Sequence, residues 1–339
     1  MRAADLWARY KLVWKRRRLL WRAIRSRHVL NPVQNRTSLV SRDAILTFVC
    51  VRNEMSRLPH MLDHYRKLGV SHFLIVDNDS TDGTVSFLEK QPDVSLWQTS
   101  ATYREARFGL DWMNWLLLRY GRGHWCLYVD ADELLTFAHS DTVGLPELTR
   151  WLDERGQVAF GALMLDLYPA RKLDEPPASE NLMDHLQWFD AGPYRAQRQS
   201  PLNNLWVQGG VRERVFFADT PHASPTLNKL PLIRWHWRYV YVNSTHSALP
   251  RSLNMTYDGP SGTSPSGVLL HTKFQPEIIE KSVEDRVRQQ HFHDPTKFAA
   301  YYDLIQNAPT LWNDQSVKYE DWQQLAELGL LNPADFKAF

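Results

Sequence analysis

Residues 43–140 alternate between short apolar, β-rich runs and stretches in which apolar residues recur at helical spacing. The strand-like runs are AILTFVCV (44–51), HFLIV (72–76), VSLW (94–97) and WCLYV (125–129). The helical stretches between them are residues 58–68, 81–89 and 104–120. A continuous apolar run is typical of a strand covered on both faces. The alternation therefore predicts an α/β fold, in which helices flank a mostly parallel, Rossmann-like sheet.

The composition is that of a globular chain with one large domain and appendages, or with two domains. The 339 residues are 43% hydrophobic and 23% charged, which excludes a disordered chain. The two cysteines, Cys50 and Cys126, lie inside apolar strand-like runs. They support neither a disulfide framework nor a cysteine zinc site, and they indicate core residues in a reducing compartment.

The first 30 residues are strongly basic, with ten Lys or Arg and one acid in a chain of net charge +2. Helical spacing over residues 5–24 predicts one apolar face, interrupted by Arg17 and formed by Leu6, Trp7, Tyr10, Val13, Trp14, Leu20, Trp21 and Ile24. Tryptophan beside Lys and Arg is typical of a helix in the headgroup region of an anionic membrane. A helix packed on its own domain or on a partner, and a basic arm for nucleic acid, are alternatives.

We expect the body to be cytoplasmic and held at the inner face of the membrane through residues 1–30. No stretch approaches the roughly 20 apolar residues of a membrane span. The basic arm also lacks the apolar segment and cleavage site of a secretory signal. Because no other segment looks like a nucleic-acid module, we expect no nucleic-acid partner.

Polar side chains follow three of the predicted strands. They are Asn53 and Glu54 after the first strand, Asp77, Asn78 and Asp79 after the second, and Asp130, Asp132 and Glu133 after the fourth. In open α/β sheets, ligands bind beyond the carboxyl ends of the strands. The loop DSTDGT (79–84) would also cap a helix without binding any ligand. Three such clusters on one sheet edge nevertheless favour a binding site.

A phosphate-bearing ligand at this edge would need a counter-charge, because the chain has no glycine-rich loop to bind the phosphates. The chain has neither a G-x-G-x-x-G after the first strand nor a P-loop. Mg²⁺ and Mn²⁺ prefer oxygen ligands, commonly one or two carboxylates together with substrate phosphate. Asp130 and Asp132 therefore predict a divalent-metal site for a phosphate-bearing ligand.

Three motifs follow one another in the first half of the chain: VCVRNE (49–54), IVDNDSTDGT (75–84) and VDADE (129–133). In this order and spacing they resemble the GT-A domain of family 2 glycosyltransferases, in the bacterial branch whose first strand ends in RNE. The resemblance covers residues 43–140 and continues more weakly to the C-terminus through KLPLIRWHW, STHSALP, LLHTKF and LAELGLL. The acidic pair that the family usually carries after its second strand reads Asp77-Asn78 here.

The resemblance implies a nucleotide-sugar donor and inversion at the anomeric carbon. It places Asp77 and Asn78 against the base or ribose, and Asn53 and Glu54 in the loop that lines the nucleotide pocket. Residues Asp130 and Asp132 match the family's DxD, which holds Mg²⁺ or Mn²⁺ against the diphosphate. A metal there neutralises the leaving group, while a general base accepts the proton of the acceptor hydroxyl.

The general base is expected in the second half of the chain. Glu213, in VQGGVRERVFF (207–217), follows a Gly-Gly pair as the base does in many family 2 enzymes. Asp219 and Asp166 are rivals for this role. A surface ion pair between Glu213 and Arg212 or Arg214 is the alternative without catalysis.

His271, in LLHTKF, stands where the resembling branch also has a histidine, so it is a candidate ligand of the metal or the diphosphate. Lys273 is a candidate for contact with the diphosphate. A hydrogen-bonded structural histidine is the alternative for His271, and His236 and His246 are weaker candidates.

Three tryptophans of the second half could stack on sugar rings or belong to the core: Trp206, Trp235 and Trp237.

The predicted organisation has three parts. A basic arm covers residues 1–40, a GT-A domain covers 43–275, and a helical extension covers 276–339. Within the GT-A domain, residues 43–140 form the nucleotide-sugar half and 141–275 the acceptor half.

The favoured function is transfer of a sugar to a hydroxyl of a carbohydrate or glycolipid, in surface polysaccharide or glycolipid synthesis. Two alternatives stay open: a non-catalytic GT-A-like protein that binds a carbohydrate or partner, and a D-x-D phosphatase or phosphotransferase in which Asp130 attacks phosphorus.

Overall fold

The computed structural model describes residues 3–177, 179, 181–288 and 299–337. The α-helices are α1 (Ala3–Ser26), α2 (Leu58–Lys67), α3 (Thr84–Glu89), α4 (Leu110–Tyr120), α5 (Leu145–Glu154), α6 (Leu182–His185), α7 (Glu277–Arg288), α8 (Ala299–Gln306) and α9 (Trp322–Glu327). The strands are β1 (Asn31–Gln34), β2 (Leu46–Val51), β3 (His72–Asp77), β4 (Val94–Gln98), β5 (Trp125–Tyr128), β6 (Glu133–Thr136), β7 (Ala159–Asp166), β8 (Trp188–Phe189), β9 (Tyr194–Gln199), β10 (Asn204–Gly209), β11 (Asn228–Arg234), β12 (Val240–Tyr241), β13 (Ala248–Leu249), β14 (Ser266–His271) and β15 (Val317–Lys318).

A nine-stranded sheet in the order β1-β4-β3-β2-β5-β11-β7-β14-β6 forms the centre of the molecule. Strands β2, β3, β4, β5, β7 and β14 run in one direction, and β1, β6 and β11 run in the other. Helices pack on this sheet, with α4 on β2 and β3 and α3 on β4. The predicted α/β fold class, with a mostly parallel, Rossmann-like sheet flanked by helices, is confirmed.

The four predicted strands of the first half all exist, and their side chains are almost entirely buried. Helix α4 begins at Leu110 and not near residue 104 as its apolar spacing predicts. Arg107, Phe108 and Gly109 have φ of 55°, 60° and 72°, so the backbone there is left-handed and cannot continue a right-handed helix.

Strand β11 runs antiparallel between β5 and β7, in the middle of the sheet. Strands β7 and β14 are parallel to each other, and their last residues, Asp166 and His271, are paired in register. Both strands run in the same direction as β5, so their carboxyl ends add side chains to the edge that carries the three polar clusters.

Helix α1 packs on α4 and on β12 through one stripe of its surface. Leu12, Leu19 and Ala23 are buried there. Arg22 reinforces the contact, because its guanidinium lies 2.8 Å from an Asp111 carboxylate oxygen. The predicted apolar face is a different stripe, and it stays largely exposed. The packing stripe has no clear signal in the sequence because its residues are few and small beside the aromatic residues of the exposed stripe.

Helices α7 and α8 pack against each other over a second apolar cluster. Both helices lie in the helical extension predicted for residues 276–339, of which residues 289–298 lie outside the described part of the chain. Within the described residues, none of the helices combines the length and the apolarity needed to cross a membrane.

Candidate functional site

The carboxyl ends of the parallel strands surround a cavity of about 400 Å³, here called the carboxylate cavity. The residues from strand ends that line it are Arg52, Asn53, Glu54, Asn78, Asp130, Asp132 and His271. Helices α7 and α8 close its other side with Ile278, Lys281, Tyr301 and Ile305. The structure therefore brings the three sequence motifs together at one place.

Asp130 and Glu133 share a buried lysine. The Lys229 ammonium, on β11, lies 3.2 Å from Asp130 Oδ2 and 2.7 Å from Glu133 Oε1. Burial opposes the lysine charge, but the two carboxylates hold the pKa of Lys229 above its usual value. The Asp130 backbone N–H also donates to Glu133 Oε2, which fixes the loop after β5. Glu133 is therefore engaged in the support of this loop.

Asp132 belongs to a buried chain of charged groups. Its Oδ2 lies 3.2 Å from His271 Nε2, and His271 Nδ1 lies 2.5 Å from Asp166 Oδ1. Asp166 in turn accepts two hydrogen bonds, at 2.7 and 2.8 Å, from the buried Arg212 guanidinium. Burial opposes ionisation of Asp132, but His271, with Arg57 and Lys273, holds its pKa well below the usual range. Asp132 therefore stays a carboxylate.

His271 is the centre of this chain. Burial disfavours its charge, but contacts with Asp132 and Asp166 hold its pKa above the usual value. Thr272, the next residue, donates its backbone N–H and its hydroxyl to the Asp132 carbonyl. The end of β14 thus fixes the DxD loop through both backbone and side chain.

The loops after β2 and β3 hold each other through side chains of the RNE and DNDSTDGT motifs. Asn53 Oδ1 accepts from the Thr81 backbone N–H at 2.8 Å. Asn78 lies in the wall of the cavity and donates its side-chain amide to two backbone carbonyls of the loop after β4. Asp77 is fully buried beneath this wall, and its Oδ1 has no hydrogen-bond partner within the described residues.

Glu54 is held between two cations. Its carboxylate lies 2.8 Å from Arg57 and 2.6 Å from Lys281 of α7. Lys273 also lines the cavity, and its ammonium lies over the Tyr301 ring, 5.6 Å from the centroid. No carboxylate of the described residues forms an ion pair with Lys273, so its charge is available to an anion in the cavity.

The placement of Glu213 argues against the predicted role as general base. It lies in a π-helical turn, Arg212–Phe216, and lines a separate cavity. Both of its carboxylate oxygens are bound by Arg195 at 2.6 Å. The ion pair is therefore with Arg195, and not with Arg212 or Arg214 as the sequence alternative had it. The rival Asp166 is buried and fully paired, and the rival Asp219 is exposed on the surface.

The remaining candidates from the second half are divided between the core and the site. Burial, with the Lys229 charge, lowers the pKa of His246 to about 3, and this histidine lines the carboxylate cavity. His236 lines neither this cavity nor the cleft next to it. Trp235 is buried in the core, and Trp237 is exposed on the surface.

A second and larger cavity, of about 1080 Å³, opens beside the first and is here called the cationic cleft. Tyr103, Asp130 and Ser244 line both cavities, so the two meet at the first DxD carboxylate. Trp206 lines the cleft, which makes it the one of the three tryptophans placed to contact a ligand there.

The donor set at the DxD fits a divalent cation that takes its other ligands from a diphosphate. Asp130 has a side chain that is 48% exposed, and Asp132 also faces the cavity. Among the described residues, no group of three or more His, Cys, Asp or Glu side chains is arranged to hold a metal by protein ligands alone. Hard cations commonly use one or two carboxylates and substrate phosphates instead.

Several residues of the site have no clear signal in the sequence. Lys229 lies in the run NKLPLIR (228–234), which forms the buried strand β11. A lysine within a largely apolar run is the one sequence feature that points to a buried, paired charge there. The sequence suggests a pair between Arg212 and Glu213, whereas the structure pairs Arg212 with Asp166. Arg57 and Lys281 come to Glu54 from a helix start and from the distant α7.

No protein-family model and no curated protein sequence matches the chain. Among solved structures, the chain is similar to the mannosyltransferase PcManGT from Pyrobaculum calidifontis in complex with GDP-Man and Mn²⁺, at 15% identity and a TM-score of 0.32, over 89% of this chain and 78% of that one. It is also similar to a glucose-1-phosphate thymidylyltransferase from Bacillus anthracis, at 8% identity and a TM-score of 0.29, over 87% and 98% of the two chains. A third is a 4-diphosphocytidyl-2C-methyl-D-erythritol synthase, at 19% identity and a TM-score of 0.25, over 41% and 65%. At these scores the likeness carries no inference about activity.

Proposed function

We propose that this protein is a metal-dependent glycosyltransferase of the family 2, GT-A kind, which moves a sugar from a nucleoside-diphosphate donor to an acceptor hydroxyl with inversion. The observation that carries the proposal is the position of Asp130. Its carboxylate lies where the carboxylate cavity meets the cationic cleft, so one cavity can hold the donor and the other the acceptor.

The chain's own residues supply the donor site. Asn53, Glu54 and Asn78, with the buried Asp77 beneath them, form the wall proposed for the base and ribose. Lys273 would contact the diphosphate, whereas the His271 imidazole, whose two nitrogens face Asp132 and Asp166, would support Asp132 beside it.

Asp130 and Asp132 would hold Mg²⁺ or Mn²⁺ beside the diphosphate. When bound, such an ion supplies neutralisation of the charge that develops on the leaving nucleoside diphosphate. Lys229 and His271 orient the two carboxylates before any ligand binds, so little rearrangement is needed during the reaction. Because Glu213 lies outside both cavities, the proton of the acceptor hydroxyl goes to another group.

We also propose that α1 holds the enzyme on an anionic membrane, at the cytoplasmic face. Trp7, Tyr10, Trp14 and Trp21 form a stripe along the helix, and each side chain is between 52% and 58% exposed. Lys11, Arg17 and Arg25 lie over rings of this stripe at 4.7–5.3 Å from the centroids. Aromatic rings with adjacent cations suit the interface of an anionic bilayer. Such a location fits synthesis of a surface polysaccharide or glycolipid.

Hydrolysis of nucleotide sugars in the absence of acceptor tests the proposal. Wild-type protein with Mn²⁺ should release sugar slowly from one nucleotide sugar, and Asp130→Ala or Asp132→Ala should abolish the release while circular dichroism stays unchanged. Undiminished release by both variants would contradict the metal-dependent mechanism. Absence of release from every nucleotide sugar, with binding retained, would favour the non-catalytic alternative.

A further inference from the structure

The cationic cleft has a charge that the donor site does not explain. Among the described residues, five cationic side chains line it, and Asp130 is the one carboxylate in its lining. The five are Lys15, Arg18 and Arg22 from α1, and Arg104 and Arg107 from the segment before α4. A neutral sugar acceptor would require no such excess of positive charge.

The cations of the cleft crowd one another. Asp111 is engaged by two of them, since Arg22 lies 2.8 Å and Arg107 lies 3.0 Å from its carboxylate oxygens. Lys15 and Arg18 have no hydrogen bond or ion pair within the described residues. The Lys15 side chain is exposed at the cleft wall, and its pKa is lowered by desolvation and by the Arg107 charge. Positive groups without carboxylate partners, close to other positive groups, are favourable contacts for an anion.

The position of these cations on α1 relates the cleft to the exposed aromatic stripe. At 100° per residue, Lys15, Arg18 and Arg22 occupy the sector between the buried stripe of Leu12 and Leu19 and the aromatic stripe. The cleft wall therefore adjoins the surface proposed to face lipid. Apolar side chains also line the cleft, among them Leu19, Phe108, Leu202 and Val242.

We propose that the cationic cleft binds the phosphorylated headgroup of a membrane lipid, and that this lipid carries the acceptor. The role of this lipid as acceptor rests on the proposed function, whereas the anion site rests on the cleft alone. Lys15 and Arg18 bind the phosphate, the apolar lining receives the first part of the lipid chain, and Trp206 contacts the headgroup. The acceptor group then reaches Asp130, where the cleft meets the carboxylate cavity.

Isothermal titration of the full-length protein with octyl phosphate, below its micelle concentration, tests the site. Octyl glucoside serves as the neutral ligand with the same chain, and inorganic phosphate as the anion without a chain. We expect octyl phosphate to bind more tightly than both. Equal binding of octyl glucoside would overturn the anion site, and equal binding of inorganic phosphate would overturn the lipid assignment.

Two double variants locate the binding. Lys15→Ala/Arg18→Ala should weaken octyl phosphate binding by roughly tenfold or more for each cation removed. The control Arg17→Ala/Arg25→Ala removes two charges from the same helix outside the cleft and should bind octyl phosphate as the wild type does. Wild-type affinity in the first variant would contradict the proposal.

Nucleotide binding separates this proposal from the proposed function. Lys15→Ala/Arg18→Ala should bind a nucleoside diphosphate with Mn²⁺ as the wild type does, because neither residue lines the carboxylate cavity. Octyl phosphate binding without any nucleotide binding would leave the lipid-phosphate site in place and refute glycosyl transfer. Nucleotide binding without octyl phosphate binding would refute the lipid-phosphate site alone.

Discussion

The Lys229 ammonium lies 3.2 Å from Asp130 Oδ2, at the point where the carboxylate cavity and the cationic cleft meet. A buried cation of the chain itself thus stabilises the first DxD carboxylate. The same ammonium lies 2.7 Å from Glu133. Two of the three acids that follow β5, Asp130 and Glu133, are therefore balanced by a strand that lies about 100 residues further along the chain.

Replacement of Lys229 should destabilise the protein strongly. Lys229→Met leaves the buried Glu133 without its cation, and loss of one partner of a buried pair typically costs about 3–5 kcal/mol. Urea denaturation followed by fluorescence measures this change in the free energy of unfolding. Lys229→Met/Glu133→Leu removes both charges and should recover most of the loss. If the double variant is as unstable as the single one, the ion pair is not the cause.

Glu213 should be dispensable for catalysis. Its bidentate pair with the largely exposed Arg195 is at the surface, where such pairs contribute about 1 kcal/mol or less. Glu213→Gln should therefore keep donor hydrolysis and transfer close to the wild-type rate. A loss as large as that of Asp130→Ala would restore Glu213 as a catalytic residue and contradict the placement of the acceptor in the cationic cleft.

The aromatic stripe of α1 should determine membrane binding. Trp7→Ser/Trp14→Ser/Trp21→Ser should reduce flotation with liposomes that contain anionic lipid, because the three indoles are exposed and none is needed for packing on α4. Val29→Ser/Leu39→Ser removes exposed apolar groups outside α1 and serves as the control. Equal flotation of both variants and the wild type would contradict membrane docking through this stripe.

Acid should destabilise the protein in part through His64. Burial lowers the pKa of His64 to about 4, while its Nε2 is hydrogen-bonded to the Leu135 carbonyl. The unfolded chain binds this proton first as the pH falls, so folding stability decreases below the unfolded-state pKa of about 6.5. Between about pH 7.5 and pH 5, the wild type should lose about 2 kcal/mol more unfolding free energy than His64→Gln. Parallel loss in the two proteins would refute this contribution.

The sequence predicts the sheet edge well because parallel strands end at the same side. The ends of β2, β3 and β5 follow from apolar runs, and Asn53, Asn78, Asp130 and Asp132 follow from those ends. Strand β11 is different, since its place between β5 and β7 depends on pairing with residues far away in the chain. Lys229 could not be assigned to the site without that pairing.

The placement of Glu213 outside both cavities has a local cause. Arg212 and Glu213 are neighbours in a π-helical turn, and the turn sends their side chains to different cavities. A pattern of Gly-Gly followed by an acid does not reveal this direction. Helix α1 is a similar case, because apolar spacing identifies its exposed aromatic stripe and does not identify the buried stripe that packs on α4.

Metal-dependent stabilisation by a nucleotide tests the central claim most directly. In a thermal-shift screen of nucleoside diphosphates and nucleotide sugars with and without Mn²⁺, one nucleotide should raise the melting temperature only when metal is present, since a ligand that binds the folded state stabilises it by mass action. Asp132→Asn, which removes the charge from a proposed metal ligand and nearly keeps its shape, should lose this shift. A shift of equal size without Mn²⁺, or in Asp132→Asn, would contradict the account.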